Sequence, residues 1–357
     1  MNQPIRWGIL GTGVIAAKFA NDMAYATSAA LQAVASRDAA KAAEFAARHG
    51  AAQSYASHEE LVADDDIDAV YIATPNALHR DHALLAIAAG RPVLCEKPFA
   101  LNADEAREIA DAARAAGVFC MEAMWTRFLP VIADVKRCVL AGEFGEPTLL
   151  RAAASFPATD DPASRNNDPA AGGGALLDLG VYGVSLAHAL FGAPTDVHAH
   201  FVKGETGVDR QSVTTLSYEG RTASITASHA AELVNMLEVA GTRGRIVVEA
   251  PFFQAWRARI ITFEPPTAPP SAPGPDGAPK RLLKRTGMWP LVRQAARAAL
   301  GRNGRLISSS FQGDGYQFEM DEVAARLRAG ATESEAMSLD ETIAVMETLD
   351  RARAAAG

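Results

Sequence analysis

A short apolar run, Ile5 to Leu10, leads directly into Gly11-Thr12-Gly13-Val14-Ile15-Ala16, and a helix-forming stretch, Ala16 to Tyr25, follows. A G-x-G-x-x-A turn between a strand and a helix commits the chain to a tight strand-to-helix connection. The first glycine permits the turn, the second lets the backbone approach a pyrophosphate, and the small third residue lets helix and strand pack closely. Unpaired N–H groups at the start of the helix attract an anion. In this context the turn reads as a dinucleotide cradle contacting its ligand through Gly11, Thr12, Gly13, Val14 and Ile15.

Strand–helix alternation continues through the first third. Strands are expected at 31–36, 68–74, 92–96 and 118–121, with helices at 38–49, 79–89 and 103–116. Apolar strands separated by helices imply βαβ units and a parallel sheet covered on both faces. After about residue 145 the pattern changes. Strands at 149–156, 196–202, 212–218, 222–229, 236–240 and 245–249 are interrupted by one helix, 175–191, and helices at 316–329 and 338–355 close the chain. Alternation with period two, as in Thr222 to Ala227, suits an antiparallel sheet with one wetter face. The expected fold class is α/β: an N-terminal Rossmann dinucleotide-binding domain over 1–124, then a C-terminal α+β domain over 125–357 on an open, mostly antiparallel sheet. The 357 residues suit two domains.

Composition narrows the function. The 34 Lys and Arg against 42 Asp and Glu give a net charge of -8, which argues against a general nucleic-acid binder. No run of about 18 apolar residues suggests a membrane span. The start lacks the basic and then apolar segments of a secretion signal. Three cysteines fit a reducing cytoplasm.

One stretch stands apart as an insertion at about 265–305. Residues 265–279 hold seven prolines, and residues 280–305 hold eight Lys or Arg and no acid. Without that basic stretch the net charge is -16. Met288, Trp289, Val292, Ala295, Ala296 and Ala299 fall near helical spacing, with Arg293 and Arg297 offset from them. Three readings stay open for this basic amphipathic segment: a surface loop, a lid over the substrate cleft, or an element that contacts an anionic membrane surface or a partner.

The end of the second strand, Ser36-Arg37-Asp38, bears on the cofactor. Arg37 suits pairing with a 2′-phosphate and Ser36 suits donating to it, which favours NADP(H); Asp38, one position on, keeps NAD(H) open. A second strand end, Cys95-Glu96-Lys97-Pro98, places a lysine where ligands of such sheets bind. A Lys in a cleft can donate to a substrate oxygen and lower a neighbour's pKa.

Taken in order, Gly11-x-Gly13-x-x-Ala16, Thr74-Pro75-Asn76-x-x-His79 and Glu96-Lys97-Pro98 resemble the Gfo/Idh/MocA oxidoreductases over nearly the whole chain. Glu122 to Phe128, Gly172 to Tyr182 and Tyr316-Gln317-Phe318-Glu319 are similar to the branch of dimeric dihydrodiol dehydrogenase and NADP-dependent D-xylose 1-dehydrogenase. The wider family carries an Asp and, four residues on, a His; here the pair is Asp178 and Tyr182. That substitution makes an inositol a less expected substrate. The i, i+4 spacing puts both side chains on one helix face.

The resemblance implies hydride transfer between NADP(H) and a secondary alcohol, hemiacetal or ketone of a cyclic polyol, sugar or diol. Catalysis would fall to Lys97, Asp178 and Tyr182. Tyr182 would be the acid/base, its pKa lowered by Lys97, with Asp178 orienting substrate or holding Lys97 charged; Lys97 as the acid is the alternative. Thr74, Pro75, Asn76, His79, Glu96, Lys97 and Trp125 would lie along the cofactor, and Trp125, Arg127, Phe128 and Arg165 near the substrate. A homodimer is implied. A non-catalytic dinucleotide sensor of the same fold is the alternative function. No metal site is expected: His198 and His200 share one strand face without a third ligand nearby, and His79 with His82 reads as structural, as do Cys120 and Cys138.

Overall fold

The computed structural model describes residues 3–264, 276–302 and 304–357. Positions 265–275 of the Pro-rich stretch therefore lie outside the described residues. Strands β1 (Ile5–Leu10), β2 (Ala29–Ala35), β3 (Gln53–Tyr55), β4 (Ala69–Ile72), β5 (Val93–Glu96) and β6 (Cys120–Ala123) form a sheet in the order β3-β2-β1-β4-β5-β6. Every pair is parallel. Helices α1 (Val14–Asp22), α2 (Ala39–His49), α3 (His58–Val62), α4 (His79–Ala88) and α5 (Ala103–Ala116) connect them. Local chemistry sets the ends: Asn102 caps α5 by accepting from the Glu105 N–H at 2.9 Å, and Gly117 closes it in the left-handed region. Chain order reverses between β1 and β4, and ligands of such sheets bind at the carboxyl ends beside that point.

The second sheet is larger. β7 (Pro147–Ser155), β8 (Asp196–Lys203), β9 (Asp209–Tyr218), β10 (Arg221–Ser228), β11 (Leu237–Gly241), β12 (Gly244–Val248), β13 (Arg257–Thr262) and β14 (Arg305–Ser308) run in the order β14-β13-β12-β11-β7-β10-β9-β8. All pairs are antiparallel except β7 with β10. The remaining helices are α6 (Pro130–Leu140), α7 (Val181–Phe191), α8 (Ala278–Arg285), α9 (Trp289–Arg302), α10 (Gln317–Arg328) and α11 (Leu339–Ala356).

Ala223, Ile225 and Ala227 point from β10 into the core beneath α7. Helix and sheet approach so closely that a Cβ on Gly183 would sit 2.8 Å from Ile225. The expected helix 175–191 begins as a wider π turn, Leu176–Gly180, and continues as α7. That run, traced from Pro169 to Phe191, is the one described helix long and apolar enough to cross a membrane, and 78% of its most apolar window is buried in the protein.

The tail returns to the first sheet. Asp22 at the end of α1 accepts from the backbone N–H groups of Asp314, Gly315 and Tyr316 at 2.8–3.0 Å. On α11, Asp350 accepts from the Ala103 N–H at 2.8 Å. These bonds carry Tyr316 to the end of the parallel sheet. The short elements β3 and α3, the helix α6 and the strands β13 and β14 have no counterpart in the sequence expectation.

Candidate active site

A cleft of about 460 Å³ opens at the carboxyl ends of β1, β2, β4 and β5. Its lining includes Gly11 to Ile15, Ser36, Arg37, Thr74 to Asn76, Glu96 and Lys97, with Asp178 and Tyr182 from the π turn and α7. Gly11 adopts φ 105°, and a Cβ there would lie 2.7 Å from the Ala73 carbonyl oxygen, so only glycine fits. Gly13 faces open space, and no side chain caps the α1 N-terminus that it starts. A dinucleotide fits this cradle: open backbone N–H groups face a ligand where a side chain would otherwise intrude.

At one end, Asp38 is committed to its own helix. Its carboxylate accepts from the N–H groups of Ala40 (3.0 Å) and Lys41 (3.2 Å), and these bonds and the nearby Lys41 hold it below the usual carboxylate range despite some burial. Arg37 is exposed, lines the cleft and makes no ion pair among the described residues. His58 joins them from the start of α3, with burial pushing its pKa down, and its ring lies 4.3 Å from that of His82.

At the other end, Lys97 Nζ donates to the Asp178 carbonyl oxygen (2.7 Å) and to Oδ1 of the same residue (3.0 Å). It also lies 4.7 Å from the centroid of the Tyr182 ring. Burial opposes the Lys97 charge, but Asp178, Tyr182 and Glu96 outweigh it and raise the pKa above that of an ordinary lysine. Burial likewise pushes Asp178 up, and Lys97 and His229 bring it below the usual carboxylate range. His229 Nε2 stands 3.4 Å from Asp178 Oδ2, and His229 Nδ1 lies 3.1 Å from the Phe156 carbonyl oxygen. Behind Tyr182, Trp125 Nε1 donates to the tyrosine oxygen at 3.1 Å, and the Trp125 ring stacks on Tyr316 at 4.8 Å. Glu96 accepts from the Tyr71 hydroxyl and from the Lys97 N–H, and burial lifts its pKa to about 7.

Several expectations change. Lys97 does pull the Tyr182 pKa down, as does the Trp125 N–H, but burial is the larger effect and leaves the phenol above its ordinary value. Asp178 holds Lys97 charged, the second of its two expected roles. Trp125 is 5% exposed and backs Tyr182 instead of lining the cleft. Arg127 lies away from the cleft: it donates to the Ser185 hydroxyl (2.7 Å) and pairs with Glu341 (2.8 Å), tying α7 to α11. Phe128 also lies outside the lining and packs partly buried against the core. His79 belongs to the cleft lining as expected but is fully buried, its ring nitrogens 2.9 Å from the carbonyl oxygens of Pro98 and Thr74, so it latches the two loops together. Arg165 is exposed and borders the cleft. Asn76 donates to the Gly172 carbonyl at 3.3 Å, joining the cofactor side to the glycine-rich strap. His58, Tyr316 and His229 escaped the sequence reading. Only Tyr316 carried a signal, as part of the tail motif.

A family model for an NAD-binding Rossmann-fold oxidoreductase family matches residues 5–124, and one for the GFO/IDH/MocA C-terminal domain matches residues 132–247. The chain belongs to the Gfo/Idh/MocA oxidoreductase family. Trans-1,2-dihydrobenzene-1,2-diol dehydrogenase of Mus musculus is 34% identical to this Gfo/Idh/MocA member over 99% of this chain and 97% of its own. The NADP(+)-dependent scyllo-inositol 2-dehydrogenase IolU of Bacillus subtilis (strain 168) is 40% identical over 69% of this chain and 76% of its own. A levoglucosan dehydrogenase in complex with NADH and levoglucosan has the same fold, with a TM-score of 0.79 at 23% identity over 99% of this chain and 97% of that one.

Proposed function

We propose that this chain is an NADP-dependent dehydrogenase of a cyclic secondary alcohol: a dihydrodiol, a sugar or an inositol. The observation that carries the reading is the Lys97–Asp178–Tyr182 cluster at the mouth of a glycine-floored dinucleotide cleft. Bound nicotinamide would accept or return the hydride. Tyr182 is the acid/base in this reading, because it lines the cleft with Lys97 and Trp125 favouring the ionised phenol that takes the hydroxyl proton in oxidation, while burial favours the protonated phenol that returns it in reduction. Lys97, held as a cation by Asp178, stabilises negative charge on that oxygen and on the phenolate. Trp125 steadies the same phenol oxygen through its N–H.

The NADP preference is supported by Arg37 and Ser36 lining the far end while the Asp38 carboxylate is occupied in capping α2. A cytoplasmic setting is supported by three free, buried cysteines. A homodimer through the open face of the second sheet is supported by Val202 and Val213, exposed at diagonal positions on the paired strands β8 and β9. The test is NADPH production from NADP+ with trans-dihydrodiols, aldoses and inositols in parallel, repeated with NAD+. Turnover of one of these classes with NADP+ supports the reading, and inactivity across all of them overturns it.

A further inference from the structure

Among the described residues, helices α8 and α9, joined between β13 and β14, line no part of the cleft. No α8 side chain is buried. Lys280, Arg281, Lys284 and Arg285 fall at i, i+1, i+4 and i+5, so they share one helix face, and Leu282 and Leu283 fall on the other. On α9, Leu291, Val292 and Ala295 follow the same helical logic, with Arg293 set off from them. Leu282, Met288 and Leu291 are more than half exposed, and Val292 is 39% exposed. Lys280 Nζ lies 5.3 Å from the Trp289 ring and joins the two helices, and Asp276, just before α8, pairs with Lys280 and Lys284.

Single exposed apolar side chains are ordinary, but a cluster of them on consecutive short helices flanked by cations is a recognition surface. Its chemistry selects the partner. Nucleic acid would neutralise the cations yet leave Leu282, Met288 and Leu291 in water. An anionic lipid surface satisfies both halves, since headgroup charge meets Lys and Arg while leucine, methionine and tryptophan enter the interface. We propose that α8 and α9 dock this enzyme on an anionic lipid surface, on which it lies without crossing. The remaining chain, at -16, is repelled by such a surface, so contact is confined to this element.

Vesicle flotation of the full-length chain tests this. Vesicles of phosphatidylglycerol and phosphatidylcholine should carry the protein at low salt, vesicles of phosphatidylcholine alone should not, and added salt should release it. The triple variant Arg281→Glu/Arg285→Glu/Arg293→Glu should lose at least about tenfold in partitioning. Leu282→Ser/Leu291→Ser should lose binding at unchanged charge, by about 100-fold or more if both side chains are buried in the interface. Both variants should keep the wild-type melting temperature and cofactor affinity, which shows that they are folded. Three results overturn the proposal: no flotation at low salt, equal flotation with neutral vesicles, or variants that float like wild type while losing self-association or DNA binding instead.

Discussion

Lys97 and Asp178, far apart in sequence, meet in a two-point contact in which one ammonium serves both the carbonyl oxygen (2.7 Å) and the carboxylate (3.0 Å) of a single residue. The contact joins the end of β5 to the π turn before α7. It fixes the lysine over the Tyr182 ring and raises its pKa. Asp178→Asn removes the largest influence raising that pKa. The alkaline limb of the kcat/KM profile should therefore move to lower pH, because Lys97 loses its proton sooner. An unmoved limb would mean that the Lys97 charge does not matter to turnover.

Trp125→Phe should act on Tyr182 without touching the cleft. The indole N–H lowers the tyrosine pKa, so its loss leaves the phenol harder to ionise. The ring stack on Tyr316 survives in the variant. The expected result is a roughly tenfold fall in kcat with KM for cofactor unchanged. Equal loss in both parameters would point to a packing defect.

Arg37→Ala should separate the two cofactors. Losing a charge-assisted contact to a 2′-phosphate should raise KM for NADP+ by about 10–100-fold and leave KM for NAD+ within about twofold. Steady-state kinetics with both cofactors reads this directly. A parallel rise for both would assign Arg37 to some other part of the dinucleotide.

Glu122 makes a prediction about stability. It is fully buried, its Oε2 has no partner among the described residues, and burial lifts its pKa to about 7. A carboxyl with a raised folded-state pKa contributes stability below the unfolded value near 4.5, and loses it as pH rises through 7. Glu122→Gln, which keeps an acceptor for the Phe99 N–H, should gain on wild type by about 1–3 kcal/mol between pH 4 and pH 8. Urea melts at both pH values would show it, and a pH-independent difference would contradict it.

Much of this was legible in the sequence because it is local. Gly11 to Ala16 is a contiguous turn, Lys97 ends a strand, and Asp178 with Tyr182 obeys a helix period. The features that were not legible depend on contacts between distant segments or on competing energies. His58 sits on a five-residue helix after a three-residue strand, too short for periodicity to register. His229 reaches Asp178 only because the end of β10 lies under the π turn. Arg127 and Phe128 follow β6 next to Trp125, but the 3-10 turn over Trp125–Phe128 sends them away from the cleft. The pull of Lys97 on the Tyr182 pKa is readable from residue types, but the depth of burial that outweighs it is not. β13 and β14 pair across the insertion, so neither reads as half of a hairpin.

In the proposed reaction Tyr182 handles the hydroxyl proton beside a Lys97 cation. The most direct measurement is single-turnover NADPH formation by Tyr182→Phe and Lys97→Met, using the substrate class identified in the screen and with cofactor binding measured separately. The expected result is a fall of at least about 100-fold in both variants, with NADP+ binding as in wild type. Wild-type rates in either variant would contradict it.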